Sequence, residues 1–268
     1  MIQFIRKGII TCSMLLLSGI YGLSKAQEVK VLTYNIYHGE KNYERGKSNL
    51  EAIAAVINEY KPDFVAMQEV DSMTVRTAGF NHGIRKDLVQ ELAKLTGMYG
   101  HFGKAMDYDN GGYGEGILSR FPDQPTVYKL PIPKGGEARA FITIQHTFPN
   151  GKTITFGGTH LCHEFEDNRI AQVKEVAAIA TAKNTPAVIL GDFNITPDTK
   201  PYKVMASKMN DAAVLYGNPT LTFPYDNPKY RLDYIFLDKK SKWKVKDVKV
   251  IKNDASDHMP VLVTLSLQ

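Results

Sequence analysis

Cysteine is close to absent from this chain, with two in 268 residues. Cys12 belongs to an N-terminal leader-like stretch, so the body holds Cys162 alone and no intramolecular disulfide is open to it. The fold must therefore rest on a packed core, with Cys162 expected as a small buried residue at a strand end. Long apolar runs are also missing from the body, which excludes a multi-span membrane protein, since a span needs about 20 residues. Internal repeats and low-complexity linkers are absent. Charge of one sign is not in excess: the formal net charge is +5 with 23% charged residues, unlike a disordered polyelectrolyte. What is present is 43% hydrophobic residues, enough for a sizeable core in one large domain or two small ones.

The first 26 residues differ from the rest. Arg6 and Lys7 precede a mostly apolar run from Ile9 to Tyr21, and Ser24-Lys25-Ala26 supplies small residues before a cut after Ala26. That is the pattern of a secretory signal peptide, and the run of about 13 residues is too short for a retained span. The expected organisation is a signal peptide over 1–26 and a single domain over 27–268, exported to the periplasm or beyond the cell. Removing the leader takes away Arg6, Lys7 and Lys25 and no acid, lowering the charge from +5 to +2. So weak a charge argues neither for nor against an anionic partner.

Along the body, strands are expected at 29–36, 63–69, 116–119, 139–147, 152–159, 187–191, 231–237, 244–251 and 259–266. Helices are expected at 46–60, 83–96, 167–182 and 199–207. Ile53, Val56, Ile57 and Tyr60 form one apolar stripe, Ile84, Leu88, Leu92 and Leu95 another, and Ile170, Val173, Ala177 and Ala180 a third. Gly111 to Gly114 reads as a glycine-rich turn. Hairpins mixed with β-helix-β crossovers point to one α/β domain with mixed sheets.

Polar residues recur where these strands end. Asn35 closes the first and Glu69 the second, His160 ends ITFGGTH, and Asp192 and Asn194 follow AVILG. Asp257 and His258 precede the last strand. Each alone is an ordinary turn or cap residue, but strand ends are where α/β folds build sites. Asp233 is different, because Leu232, Tyr234, Ile235 and Phe236 surround it and a carboxylate buried there needs a partner; His258 or His160 would serve. The set suits phosphoester hydrolysis. Glu69 and Asp257 supply the carboxylates that Mg²⁺ or Mn²⁺ prefers, and Asp192 can orient or deprotonate water. Asn35 and Asn194 can donate to phosphoryl oxygens, and a histidine can stabilise charge or protonate the leaving group.

The segments TYNIYHG, PDFVAMQEVD, GYGEGILSRFP, GGTHLCH, VILGDFNITPD, RLDYIFL and SDHMPV, in that order over residues 33–261, resemble the endonuclease/exonuclease/phosphatase superfamily. Pancreatic-type deoxyribonuclease, exonuclease III, inositol-polyphosphate 5-phosphatases and neutral sphingomyelinases share that fold. The resemblance implies a four-layer sandwich of two packed mixed β-sheets flanked by helices. It implies that Asn35 serves phosphate and metal, that Glu69 and Asp257 hold metal, and that His160 is the general acid. Asp192 would orient or deprotonate water, with Asn194 as its phosphate-binding partner. His258 would contact the scissile phosphate, oriented by Asp233, and Arg139, in GGEARAF, on a looser match, would contact phosphate.

Departures stand at Cys162, where the family often has a polar residue, and at His163, which receives no role. His160-Leu161-Cys162-His163 lacks a second ligand pair at zinc spacing. The run from Asp71 through Thr74 to Arg76 resembles compact exported bacterial members and the domain attached to proteins that remodel glycosylphosphatidylinositol lipids. Arg76 either lines the substrate cleft or forms a surface salt bridge.

Substrate is less legible. Residues 239–252 hold seven lysines and the only tryptophan, either a basic stripe for nucleic acid or a solvated edge strand. Tyr108, Tyr113, Phe165, Phe223 and Tyr225 fall in expected loops and can stack on a substrate or pack locally. Three functions are compatible: a phosphodiesterase for a small or lipid-linked substrate, a nuclease, and a catalytically silent binding module. The expected partner is a phosphoester substrate, with no stable protein partner, on a monomer.

Overall fold

A computed structural model describes residues 27–268; the leader lies outside the described residues. The elements are β1 (Gln27–Asn35), α1 (Leu50–Tyr60), β2 (Phe64–Ser72), α2 (Val75–Gly79), α3 (Leu88–Thr96), β3 (Tyr99–Tyr108), β4 (Gly111–Ser119), β5 (Pro125–Lys129), β6 (Ala140–Thr147) and β7 (Thr153–His160). There follow α4 (Glu166–Ala182), β8 (Ala187–Asp192), α5 (Lys200–Lys208), β9 (Met209–Asp211), α6 (Ala212–Tyr216), β10 (Asp233–Asp238), β11 (Trp243–Val250) and β12 (Val261–Leu267). Two six-stranded sheets form, in the orders β11-β12-β1-β2-β4-β3 and β5-β6-β7-β8-β10-β9. Both are mixed: β1 pairs parallel with β2 and β7 with β8, each across a helical crossover.

The central strands are apolar on both faces because both are covered. Val29, Val31, Phe64, Ala66, Val188, Leu190, Ile235 and Leu237 point between the sheets, where Phe64 stacks on Phe156 at 3.6 Å. The alternate residues Leu32, Tyr34, Val65 and Met67 meet α1 and α3 on the far side of the first sheet. Ile189, Tyr234 and Phe236 meet α4 and α5 on the far side of the second. The result is a helix–sheet–sheet–helix sandwich with one apolar layer at each interface.

Several boundaries differ from expectation for local reasons. α1 begins at Leu50, not 46, because Gly46 sits at φ +78° and Asn49 turns its amide toward the carbonyls of Ile36, Glu40 and Ala255. α3 begins at Leu88, capped by Asp87, so Ile84 and Leu95 are 60% and 43% exposed and the buried stripe is Leu88, Val89, Leu92 and Ala93. Gly111 to Gly114 is not a turn but the start of β4; a Cβ on Gly114 would stand 2.1 Å from the Gly103 carbonyl oxygen, so β3 can approach only glycine there. β3 and the short β5, β9, α2 and α6 carry too weak a pattern to be foreseen. β2 runs past Glu69 to Ser72 through a register shift between Met67 and Val70. β11 is an edge strand, pairing only with β12 among the described strands, and its outward lysines lie in solvent.

Candidate active site

The site forms where strands of both sheets end side by side. Asn35 is the last residue of β1 and pairs with Gln68 of β2. In the second sheet His160 pairs with Asp192, and Asp192 with Asp233, so three polar residues occupy one rung across β7, β8 and β10. Adjacent strands lie about 4.8 Å apart, which brings these side chains within reach of each other. Gly191 precedes Asp192 because a Cβ there would stand 2.1 Å from the Thr159 carbonyl oxygen. Glu69 sits at the β2 bulge with φ +54°, and Asn194 has φ +49° beyond β8. Left-handed backbone at non-glycine residues costs roughly 1–3 kcal/mol and tends to collect at functional sites.

The side chains join in one network. Asn35 Nδ2 donates to Glu69 Oε1 at 3.0 Å and to Asp192 Oδ2 at 3.2 Å. Its Oδ1 accepts from Tyr37 N at 3.1 Å. Asn35 therefore faces the site with its donor. His258 Nδ1 donates to Asp233 Oδ2 at 2.9 Å, while Nε2 lies 3.6 Å from Asp192 Oδ2. Thr222 Oγ1 also donates to Asp233, at 2.6 Å. Asp233 has thus found its partner in the histidine of the last loop. Asn194 N donates to Asp192 Oδ1 at 2.9 Å, and Asn194 Nδ2 faces both His160 Nε2 and the Leu161 carbonyl at 3.0 Å. Arg139, 2% exposed, places Nη1 3.0 Å from His160 Nδ1 and Nη2 3.2 Å from His163 Nδ1. The two imidazoles of His160-x-x-His163 thus meet one guanidinium.

Most of these residues, with Glu69, Tyr113, Glu137, Phe223, Leu232 and Asp257, line a cavity of about 360 Å³. Arg76 is not in that wall. It forms two hydrogen bonds, 2.8 and 2.6 Å, to the buried Asp71, and its guanidinium packs on Tyr108 at 4.7 Å. The salt-bridge alternative is the one the structure adopts, and Arg76 borders the cavity through the Tyr113 ring, 5.7 Å from its guanidinium. Of the loop aromatics, Tyr113 lies in β4, and only it and Phe223 line the cavity. Tyr225 packs on Tyr43 instead.

Electrostatics divides the site. Burial works against the charge of His258, but Asp233 and Asp192 overcome it and hold the imidazolium up to about 10. Burial, with Asp233 behind it and His258 opposing, pushes Asp192 up to about 7. Glu69 is held well below the usual carboxylate range: burial opposes this, but His38, the Asn35 amide and the charge of His258 outweigh it. Asp257 is raised, first by burial and then by the charge of Glu69. His160 is pushed well below the ordinary histidine range by burial and by Arg139.

Sequence reasoning did not single out His38, Glu115 or Glu137. His38 Nε2 lies 3.2 Å from Glu40 and Nδ1 3.8 Å from Glu69. Glu115 is wholly buried behind Arg139, and burial raises its carboxyl to about 8. Glu137 Oε1 lies 2.7 Å from Arg139 Nη1. All three stand inside the segments TYNIYHG, GYGEGILSRFP and GGEARAF, next to residues that were singled out.

The chain is 27% identical over 214 residues to the uncharacterized protein YbhP of Escherichia coli strain K12, covering 78% of this chain and 84% of that one. It is 26% identical over 257 residues to Sphingomyelinase C 2 of Leptospira interrogans, covering 81% of this chain but 40% of the longer relative. Its fold matches the crystal structure of an endonuclease/exonuclease/phosphatase family protein from Bacteroides thetaiotaomicron with a TM-score of 0.73 at 19% identity, over 91% of this chain and 96% of the other. The model of the Endonuclease/Exonuclease/phosphatase family matches residues 32–258, which takes in every residue of the network just described, and the chain belongs to that family.

Proposed function

We propose that this protein is an exported, divalent-metal-dependent phosphodiesterase acting on a small or lipid-linked phosphate. Members of the family are mostly hydrolases of phosphoester bonds. The observation that carries the reading is the single cavity in which Asp192, the charged His258, the Asn194 amide and the Glu69 and Asp257 carboxylates converge. Their donors fit a hard cation. Glu69 and Asp257 both line the cavity, and the charge of Glu69 raises Asp257, a strain that Mg²⁺ or Mn²⁺ would relieve. Asp192, Asp233 and His258 also stand close enough to hold an ion, but the His258 proton already serves that trio. A bound cation would supply charge neutralisation at the phosphoryl oxygens.

The chain's own residues do the rest. Asp192, near neutrality in its proton affinity, takes the proton of the attacking water. The imidazolium of His258 and the amide of Asn194 meet the charge that grows on the phosphoryl oxygens. Phe223 packs on the His258 ring at 4.5 Å and keeps water from that face. Lysine is absent from the cavity wall, and the lysines of β11 lie on a sheet edge, so the geometry favours a compact substrate over a nucleic-acid backbone. The similarity to a sphingomyelinase supports a lipid-linked diester, and the leader sequence supports export.

The test is an assay with Mg²⁺ on bis-p-nitrophenyl phosphate, p-nitrophenyl phosphate and plasmid DNA, with Asp192→Asn as the blank. Diester turnover that chelation abolishes and Asp192→Asn lacks is expected. DNA cleavage would make the protein a nuclease, and wild-type turnover by Asp192→Asn would remove Asp192 from its role.

A further inference from the structure

His160 sits between two groups that only donate toward it. On one side is Arg139 Nη1, 3.0 Å from Nδ1; a guanidinium has no lone pair to offer and does not lose its proton. On the other is Asn194 Nδ2, 3.0 Å from Nε2, whose second hydrogen is held by the Leu161 carbonyl. Arg139 cannot turn away, because Nη1 also contacts Glu137 at 2.7 Å and Nη2 donates to His163 at 3.2 Å. An imidazolium in this place would aim N–H groups at both donors. A neutral ring with its proton on Nε2 accepts from Arg139 and so leaves one donor, the Asn194 amide, facing an N–H where the imidazolium would face two; that N–H also has Asp192 Oδ2 3.5 Å away and the cavity before it. The charged groups facing the ring act mostly in the same sense. Burial, Arg139, His258 and His163 disfavour a cation there, and the carboxylates of Glu69 and Asp192 oppose them.

We propose that Arg139 holds His160 as a neutral imidazole protonated on Nε2, so that His160 serves the phosphate as a hydrogen-bond donor and not as the acid that protonates the leaving oxygen. Arg139 is then a positioning residue that acts through His160. The inference rests on the phosphodiesterase reading and departs from the role that the sequence resemblance implied for this histidine. In the balanced step, the water oxygen bonds to phosphorus and its proton passes to Asp192. The bond from phosphorus to the leaving oxygen breaks, and that oxygen takes its proton from solvent water. His160 keeps its proton throughout.

Two measurements on the whole protein decide it. Nitrogen NMR of labelled histidine, with the His160 signal assigned by its loss in His160→Gln, is expected to show the neutral Nε2–H form from about pH 5.5 to 8.5. In Arg139→Met the same ring is expected to titrate within that range. An imidazolium signal near neutrality in the wild type overturns the proposal. The second measurement compares ethyl p-nitrophenyl phosphate, whose leaving group needs no acid, with ethyl phenyl phosphate, whose leaving group does. Glutamine also donates a neutral N–H, so His160→Gln is expected to slow both by a similar factor of about ten. A loss on the phenyl ester at least tenfold greater than on the nitrophenyl ester identifies His160 as the acid and overturns the proposal. If the wild type turns over neither diester, the phosphodiesterase reading fails, and the NMR signal still decides the state of His160.

Discussion

Asp233 shows how a single residue acquires meaning. Its burial is legible in the sequence from its apolar neighbours, and a buried carboxylate without a partner costs several kcal/mol. The structure supplies His258 at 2.9 Å and Thr222 at 2.6 Å. Asp233 and Asp192 together raise His258 from its ordinary range to about 10, so the imidazolium survives until pH rises through that value. In Asp233→Asn the larger source of that rise is gone. The alkaline fall of kcat/KM is expected to move down toward the ordinary histidine range near 6.5, with a rate loss of about a hundredfold at neutral pH. A pH–rate profile checks both, and an alkaline limb that stays in place would separate His258 from the chemistry. What the sequence left unreadable at this scale is direction. Asn35 was legible as a site residue, but that it presents its amide nitrogen inward follows from the backbone N–H of Tyr37 taking its oxygen.

At the scale of elements, β4 carries a titratable carboxyl behind the site. Glu115 of β4 is wholly buried, and Ala140 N reaches its Oε1 at 3.4 Å. Burial outweighs the nearby Arg139 and raises the carboxyl from 4.5 to about 8. A raised carboxyl stabilises the fold fully below the unfolded value and loses that contribution as pH rises through the folded one, because the unfolded chain gives up the proton first. Thermal stability of the wild type is therefore expected to decline between about pH 4.5 and pH 8 through this group, on the order of a few kcal/mol. Glu115→Gln is expected to melt near the wild-type temperature at pH 5 and above it at pH 8. Calorimetry at the two values checks this, and an equal difference at both would show that Glu115 does not titrate with folding. Strongly patterned elements such as α1, α4 and β8 were legible. β3 and the first half of β4 were not, because glycine carries no hydrophobic signal and its use here is the close approach of two backbones.

For the whole molecule, the two sheets meet so that Glu69 of the first and Asp192 of the second open on one cavity. A cation bound there stabilises only the folded form, since the ligands come from distant parts of the chain. Raising Mg²⁺ to about tenfold above its dissociation constant is expected to lift the melting temperature by roughly 2–4 °C over protein in chelator. Glu69→Gln is expected to lose that lift. A wild-type melting temperature indifferent to Mg²⁺ and Mn²⁺ would remove the metal from this cavity.

The sequence by itself determined most of the strands, the order of the motifs and the identity of most residues now found at the site. These are local properties: apolar alternation, strand ends, and a carboxylate among hydrophobic neighbours. Only the tertiary structure decided that His160, Asp192 and Asp233 share one rung, that Arg76 turns to Asp71 and away from the cavity, and that a guanidinium stands against the His160 ring. Each of these depends on distances between segments far apart in the chain, and register between strands has no signature in any one of them.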